Sequence, residues 1–121
     1  MENQTRNFTL WFVLIAIGYV AYAAIFIFQS SFVVSGERFF TLFDDAMISM
    51  RYARNLADGF GLVWNPGGER VEGFTNPLWT LYMAFFHLLG IPQSKMGLPL
   101  QVSGALFLLI NIYFVGKLCH G

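Results

Sequence analysis

The stretch NFTLWFVLIAIGYVAYAAIFIFQSSFVVSG, residues 7–36, contains no charged side chain. Residues 8–28 alone supply 21 predominantly apolar positions. As a helix they measure roughly 32 Å, enough to cross a hydrocarbon core of about 30 Å. A cleavable leader is the competing reading, because Ala21, Tyr22 and Ala23 have the small-x-small form of a cleavage site. Its apolar region would be too long, and the run continues through Ile25, Phe26, Ile27 and Phe28 beyond that point. The stretch therefore reads as an uncleaved anchor over about residues 8–29.

Composition agrees. The chain has 121 residues, 56% hydrophobic and 18% aromatic, with 12% charged and fourteen Phe. A water-soluble domain of this size leaves much of its surface exposed and would struggle to hide so many rings. Formal charge is zero, so no nucleic-acid partner is indicated. The single Cys119 excludes an internal disulfide and any multi-cysteine metal framework. Of the seven basic and seven acidic residues, all but Glu2, Arg6, Lys95 and Lys117 lie between positions 37 and 72. Apolar walls thus flank one polar segment.

Two further apolar stretches follow, at about residues 74–91 and 98–116. Asn76 and Pro77 form a helix start, with Asn as a cap and Pro in the first turn where its missing N–H costs nothing. Gly90 and Pro92 close that helix. Gln93, Ser94 and Lys95 make a short connection, so the last two helices are expected to run antiparallel. The expected architecture is an all-α membrane protein. It has about three transmembrane helices and a polar loop over about residues 30–73.

Inside the loop, Thr41 to Asp44 resembles a capping box with Asp as its acid. A helix from about residue 42 to 58 follows, ended by Gly59. At 100° per residue Asp44, Arg51, Arg54, Asn55 and Asp58 share a polar stripe. Ala46, Met50, Ala53 and Ala57 form one apolar stripe, and Ile48, Tyr52 and Leu56 another. Such a juxtamembrane helix lies on the bilayer surface or packs on the spans. Leu62, Val63 and Trp64, with Arg70, Val71 and Glu72, flank Asn65-Pro66-Gly67-Gly68 and predict a small hairpin.

Asp44 and Asp45 are the sharpest chemical feature. Adjacent carboxylates at a helix start serve as a general base, as ligands of a hard cation, or simply as charges that favour the helix dipole. Arg51 and Arg54, on or near the Asp44 stripe, offer paired donors to a phosphate, or else belong to an intrahelical ion-pair row. Glu72 stands within a few residues of an apolar stretch without an obvious partner. His87 is costly to bury and reads first as a satisfied structural histidine.

Taken in order, FDDAMISMRYARNLADG, GLVWNPGGERVEG and FTNPLW (residues 43–59, 61–73 and 74–79) resemble the first extracytoplasmic loop of GT-C fold membrane glycosyltransferases. The likeness is to bacterial arabinofuranosyl- and mannosyltransferases that use polyprenyl-phosphate sugars. The resemblance implies an inverting transfer to a cell-envelope glycan, lipid or protein, with Asp44 as first choice for the general base and Asp45 as second. It makes Arg51 and Arg54 candidates for the donor phosphate, and Glu72 and Asn76 for the sugar pocket. It also implies a multi-pass protein of the cytoplasmic (inner) membrane with the polar loop outside. No certain cofactor follows, though a divalent metal at Asp44 and Asp45 is compatible with the chemistry.

Such enzymes have more spans, so this chain is expected to be a module acting with the remainder of a transferase or a partner subunit. Gly121 then need not be a natural end. The alternative is a truncated non-catalytic membrane protein that binds a partner or a lipid phosphate through the loop. A carrier using Asp44, Asp45 and His87 as relay groups is a third reading. Charge bias leaves the topology open: four Arg in the loop stand against Arg6 before it and Lys95 after it, but six acids accompany them.

Overall fold

The computed structural model describes residues 2–120, with side chains from Asn7 to Cys119. The side chain of Arg6 and the terminal Gly121 lie outside the described residues. The chain is mostly helical. In order it forms α1 (Glu2–Gln29), β1 (Phe32–Val34), β2 (Glu37–Phe39), α2 (Asp44–Ala57), α3 (Pro77–Leu88), a 3-10 turn at Gln93–Lys95 and α4 (Gly97–His120). It divides into two compact units: residues up to Ser30 together with those from Gln101 onward, and Ser31–Leu100.

The first unit holds the greater part of two long helical segments. Asn7–Gln29 and Gln93–Cys119 are each long and apolar enough to cross a membrane. Almost none of their length is buried, unlike the core helix of a water-soluble domain. Their contacts run antiparallel. The Gln101 amide donates to Ser30 Oγ at 3.3 Å, the Phe12 and Tyr113 rings meet edge to face at 5.3 Å, and Gly116 lies against the Phe8 ring. Sequence numbers rise on one helix as they fall on the other.

The expected third span, at residues 74–91, is not a helix of that length. Its helical part is α3, twelve residues or about 18 Å. Pro77 sets its start and the positive φ of Gly90 follows its end, so the punctuation read from sequence is real and cuts the helix short. The neighbour of α3 is α2. Ala53, Met83 and Thr80 between them have no exposed surface, and Met50, Ala84, Met96 and Leu100 complete this small core.

Two other expectations are corrected. The only strands among the described residues are β1 and β2, paired antiparallel with Val34 opposite Glu37. Ser35 and Gly36 both take positive φ, which a two-residue turn of the twist-matched type demands. Residues 62–72, read as a hairpin, form no strand. Asn65 and Gly68 do make a turn, at 3.1 Å, but the flanking carbonyls of Val63, Trp64 and Val71 accept from side chains of α2. With those acceptors engaged, no ladder forms.

The start of α2 also differs. Phe43, not Thr41, is its N-cap, and no side chain caps it. Its end matches expectation, with Gly59 at φ 85° just past the helix.

The strand pair is held to the 3-10 turn by Ser94. Its hydroxyl donates to Glu37 at 2.6 Å and its carbonyl accepts from the Phe40 N–H at 2.7 Å. Next to this junction α4 begins at Gly97, where an added Cβ would collide with the Phe40 carbonyl. Gly97→Ala is therefore expected to destabilise this unit by about 1–3 kcal/mol. Thermal unfolding in detergent micelles checks it; an unchanged midpoint would show that the junction yields freely.

Candidate functional site

The polar face of α2 builds the site. Met47, Ile48, Met50, Arg51 and Arg54 from this helix, with Trp64, His87, Gln93 and Met96, line a pocket of about 390 Å³. Methionine dominates its apolar wall, a flexible surface that adapts to irregular shapes. All of its residues belong to the second unit.

The two arginines have different tasks. Arg51 is committed to the loop. Its Nε donates to the Trp64 carbonyl at 3.0 Å, one terminal nitrogen donates to Asn65 Oδ1 at 2.7 Å, and its guanidinium stands 4.2 Å from the Trp64 ring centre. Arg54 also opens on the pocket, and its side chain has no hydrogen bond or ion pair among the described residues. The guanidinium of Arg54 is thus the one left wholly uncommitted at the pocket among the described residues.

Asp44 and Asp45 occupy the first turn of α2 and are exposed. Neither has a hydrogen-bonded or ionic partner among the described residues, and neither lines the pocket. By helical spacing Asp44 shares the face of Met47, Ile48 and Arg51, about 10 Å along the axis from Arg51 and about 15 Å from Arg54. Arginine side chains lean toward the helix N-terminus, which shortens both separations. Neighbouring carboxylates diverge by about 100°. Among the described residues no group of three or more His, Cys, Asp or Glu comes together.

Glu72 is exposed, outside the pocket lining, and without a hydrogen bond or ion pair among the described residues. Asn76 makes hydrogen bonds within the fold. Its Oδ1 accepts from Ser49 at 2.8 Å, and its carbonyl accepts from the Thr80 amide and hydroxyl at 3.0 and 3.1 Å. It does not cap α3 through its side chain, as the sequence suggests it would, because that oxygen is taken by Ser49.

Asn55, placed by periodicity on the polar stripe, is buried. Its amide donates to Val63 and Trp64 carbonyls at 2.7 and 3.0 Å. Tyr52, also buried, donates to Val71 O at 2.7 Å and packs on Trp64 and Phe74. Gln93 and the methionines of the pocket carry no sequence signal of their own. Only the fold brings them together.

His87 faces Met50, its Nε2 3.1 Å from the sulfur. Burial lowers its pKa from the ordinary value, the Asp58 charge opposes that shift, and Arg54 adds to it. Compared with known proteins, the chain matches no family model, no curated protein and no solved structure.

A histidine with a depressed folded pKa stays neutral where the unfolded chain has begun to bind a proton. Its contribution is intact above the unfolded value near 6.5 and is lost as pH falls through the folded pKa. The melting midpoint in detergent is expected to drop between pH 7 and 5, and His87→Gln to flatten that dependence. An identical slope in the variant would assign the dependence to other groups.

Proposed function

We propose that this chain is a membrane module of an inverting glycosyltransferase that uses a polyprenyl-phosphate sugar. The observation that carries the reading is one helix, α2, bearing an unpartnered acid in its first turn and an unpartnered arginine at a pocket farther along. An in-line displacement needs those two functions separated by the acceptor oxygen, the anomeric carbon and the leaving phosphate. In this mechanism Asp44 accepts the proton of the acceptor hydroxyl as its oxygen bonds to the anomeric carbon. The bond from that carbon to the lipid phosphate breaks, and the phosphate leaves with the electron pair. Arg54 neutralises the charge that develops on it.

Arg51 takes a positioning part, holding the Trp64 segment as one wall. Asp45 is the second choice for the base. Glu72, exposed near the α3 start, is the residue of this chain proposed to meet the sugar from the loop side. In this reading the polar segment lies on the outer face of the cytoplasmic membrane. Other membrane segments of the same enzyme complete the pocket, and the acceptor is a cell-envelope glycan, lipid or protein.

One observation favours a second reading. Neither Asp44 nor Asp45 reaches the pocket lining, which suits a non-catalytic module that only grips a lipid phosphate through Arg54. Transfer of radiolabelled sugar from polyprenyl-phosphate donors in native membranes separates the two. Catalysis predicts a loss of about 10²-fold or more for Asp44→Asn with membrane insertion unchanged, and a weaker donor affinity for Arg54→Ala. Full transfer by Asp44→Asn, together with polyprenyl-phosphate binding lost in Arg54→Ala, would establish the binding module instead.

A further inference from the structure

Helix α3 has two apolar faces. Thr80, Met83 and Ala84 on one are buried. On the other, Leu78, Leu81, Phe85 and Leu88 are exposed by 81, 52, 54 and 69%. At 100° per residue these four fall within an arc of about 80°. One flank of the row is aromatic: Trp79 and Tyr82 have ring centres 5.1 Å apart, and Tyr82 and Phe86 meet edge to face at the same distance. No charged residue occurs between Glu72 and Lys95. A row of this kind facing water is unusual and calls for an occupant.

Topology narrows the choice. The hydrogen bond between Ser30 and Gln101 puts the end of α1 and the early part of α4 at the same end of the antiparallel pair. When those two helices cross a bilayer, residues 31–100 leave it and re-enter it on one side. Any crossings between them must then be even in number, so a single passage by α3 is not allowed. Its length of about 18 Å also falls well short of a core of about 30 Å. Yet α3 cannot go far from the bilayer. Only eight residues separate Leu88 from Gly97, and part of that link is a 3-10 turn.

We propose that α3 is a monotopic element. It lies in the outer part of one leaflet with Leu78, Leu81, Phe85 and Leu88 among the acyl chains, and does not cross. Trp79 and Tyr82 sit at headgroup level, where rings with a polar tip are favoured. The occupant of the exposed row is lipid, because its composition is wholly apolar and its tether begins in a membrane-length helix. The buried face of α3 thereby holds α2, and the pocket with it, at the membrane surface. This inference rests on geometry and exposure, independently of any glycosyl transfer.

The test uses the full chain in sealed phosphatidylethanolamine/phosphatidylglycerol vesicles, with Cys119→Ser as background. Thr75→Cys and Lys95→Cys, both at exposed positions on either side of α3, are treated with a membrane-impermeant maleimide. Both are expected to react from the same side. Spin labels at Leu81→Cys and Phe85→Cys are expected to collide with oxygen several-fold more than with a water-soluble nickel chelate, and labels at Asp45→Cys and Asn65→Cys the reverse. Reaction of Thr75→Cys and Lys95→Cys from opposite sides would overturn the proposal in favour of a crossing. Nickel-accessible labels at 81 and 85 would place the row in water. Labels shielded from both reagents would show a protein partner or second copy on it.

Discussion

The close seating of α2 on α3 is the contact on which the rest of the polar unit depends. Ala53 supplies a side chain short enough for the helices to approach and clusters with Met83, and neither of these nor Thr80 retains exposed surface. A hydrogen bond from Ser49 to Asn76 at 2.8 Å fixes where along α2 the start of α3 sits. Once that register is set, the remaining faces of α2 have assigned uses. One faces the loop that returns from Gly59, and one opens onto the pocket bordered by His87 and Met96.

The loop follows from hydrogen-bond accounting. Buried or half-buried carbonyls must find donors, and α2 offers them through side chains: Arg51 and Asn55 to the Trp64 region and Tyr52 to Val71. Gly73 completes the wrap, since a Cβ there would stand 2.8 Å from the Tyr52 hydroxyl. An irregular segment is thus held by the side chains of a helix rather than by a neighbour in a ladder.

This explains which features were legible in the sequence. The first and last apolar runs, the apolar stripe through Met50 and Ala53, and the stops at Gly59 and Gly90 all express local propensity or periodicity, and each appears where expected. The hairpin did not follow its loudest turn signal, Asn65 to Gly68, because pairing depends on whether flanking carbonyls are free, and that is decided by residues eight or more positions away. Ser35-Gly36 is the weaker signal but had free strands beside it. Asn55 shares the helical phase of Arg51 and Asp58, so phase alone could not show that it is buried. The length of α3 was written in Pro77 and Gly90. The apolar stretch runs on past both boundaries, but the helix does not. Of the candidate site, Arg51, Arg54 and the acidic pair could be named from sequence, whereas their division of labour could not.

That division has an energetic consequence. Arg54 and His87 border the same pocket, and the arginine's charge works with burial to keep the imidazole neutral. An anion bound at Arg54 would reverse that local sign, since a nearby negative charge favours the protonated ring. Proton uptake at His87 and anion binding in the pocket are then linked, and linkage is reciprocal: whatever each does for the other's affinity is returned in equal measure. A phosphate would bind more tightly in mildly acidic solution for this reason, apart from any change in its own charge. Asp44 and Asp45 remain outside this coupling, in water at the far end of the helix, whereas the Asp58 charge acts on His87 and opposes the shift. The fold therefore separates a pocket bordered by Arg54 and His87 from an acidic helix start.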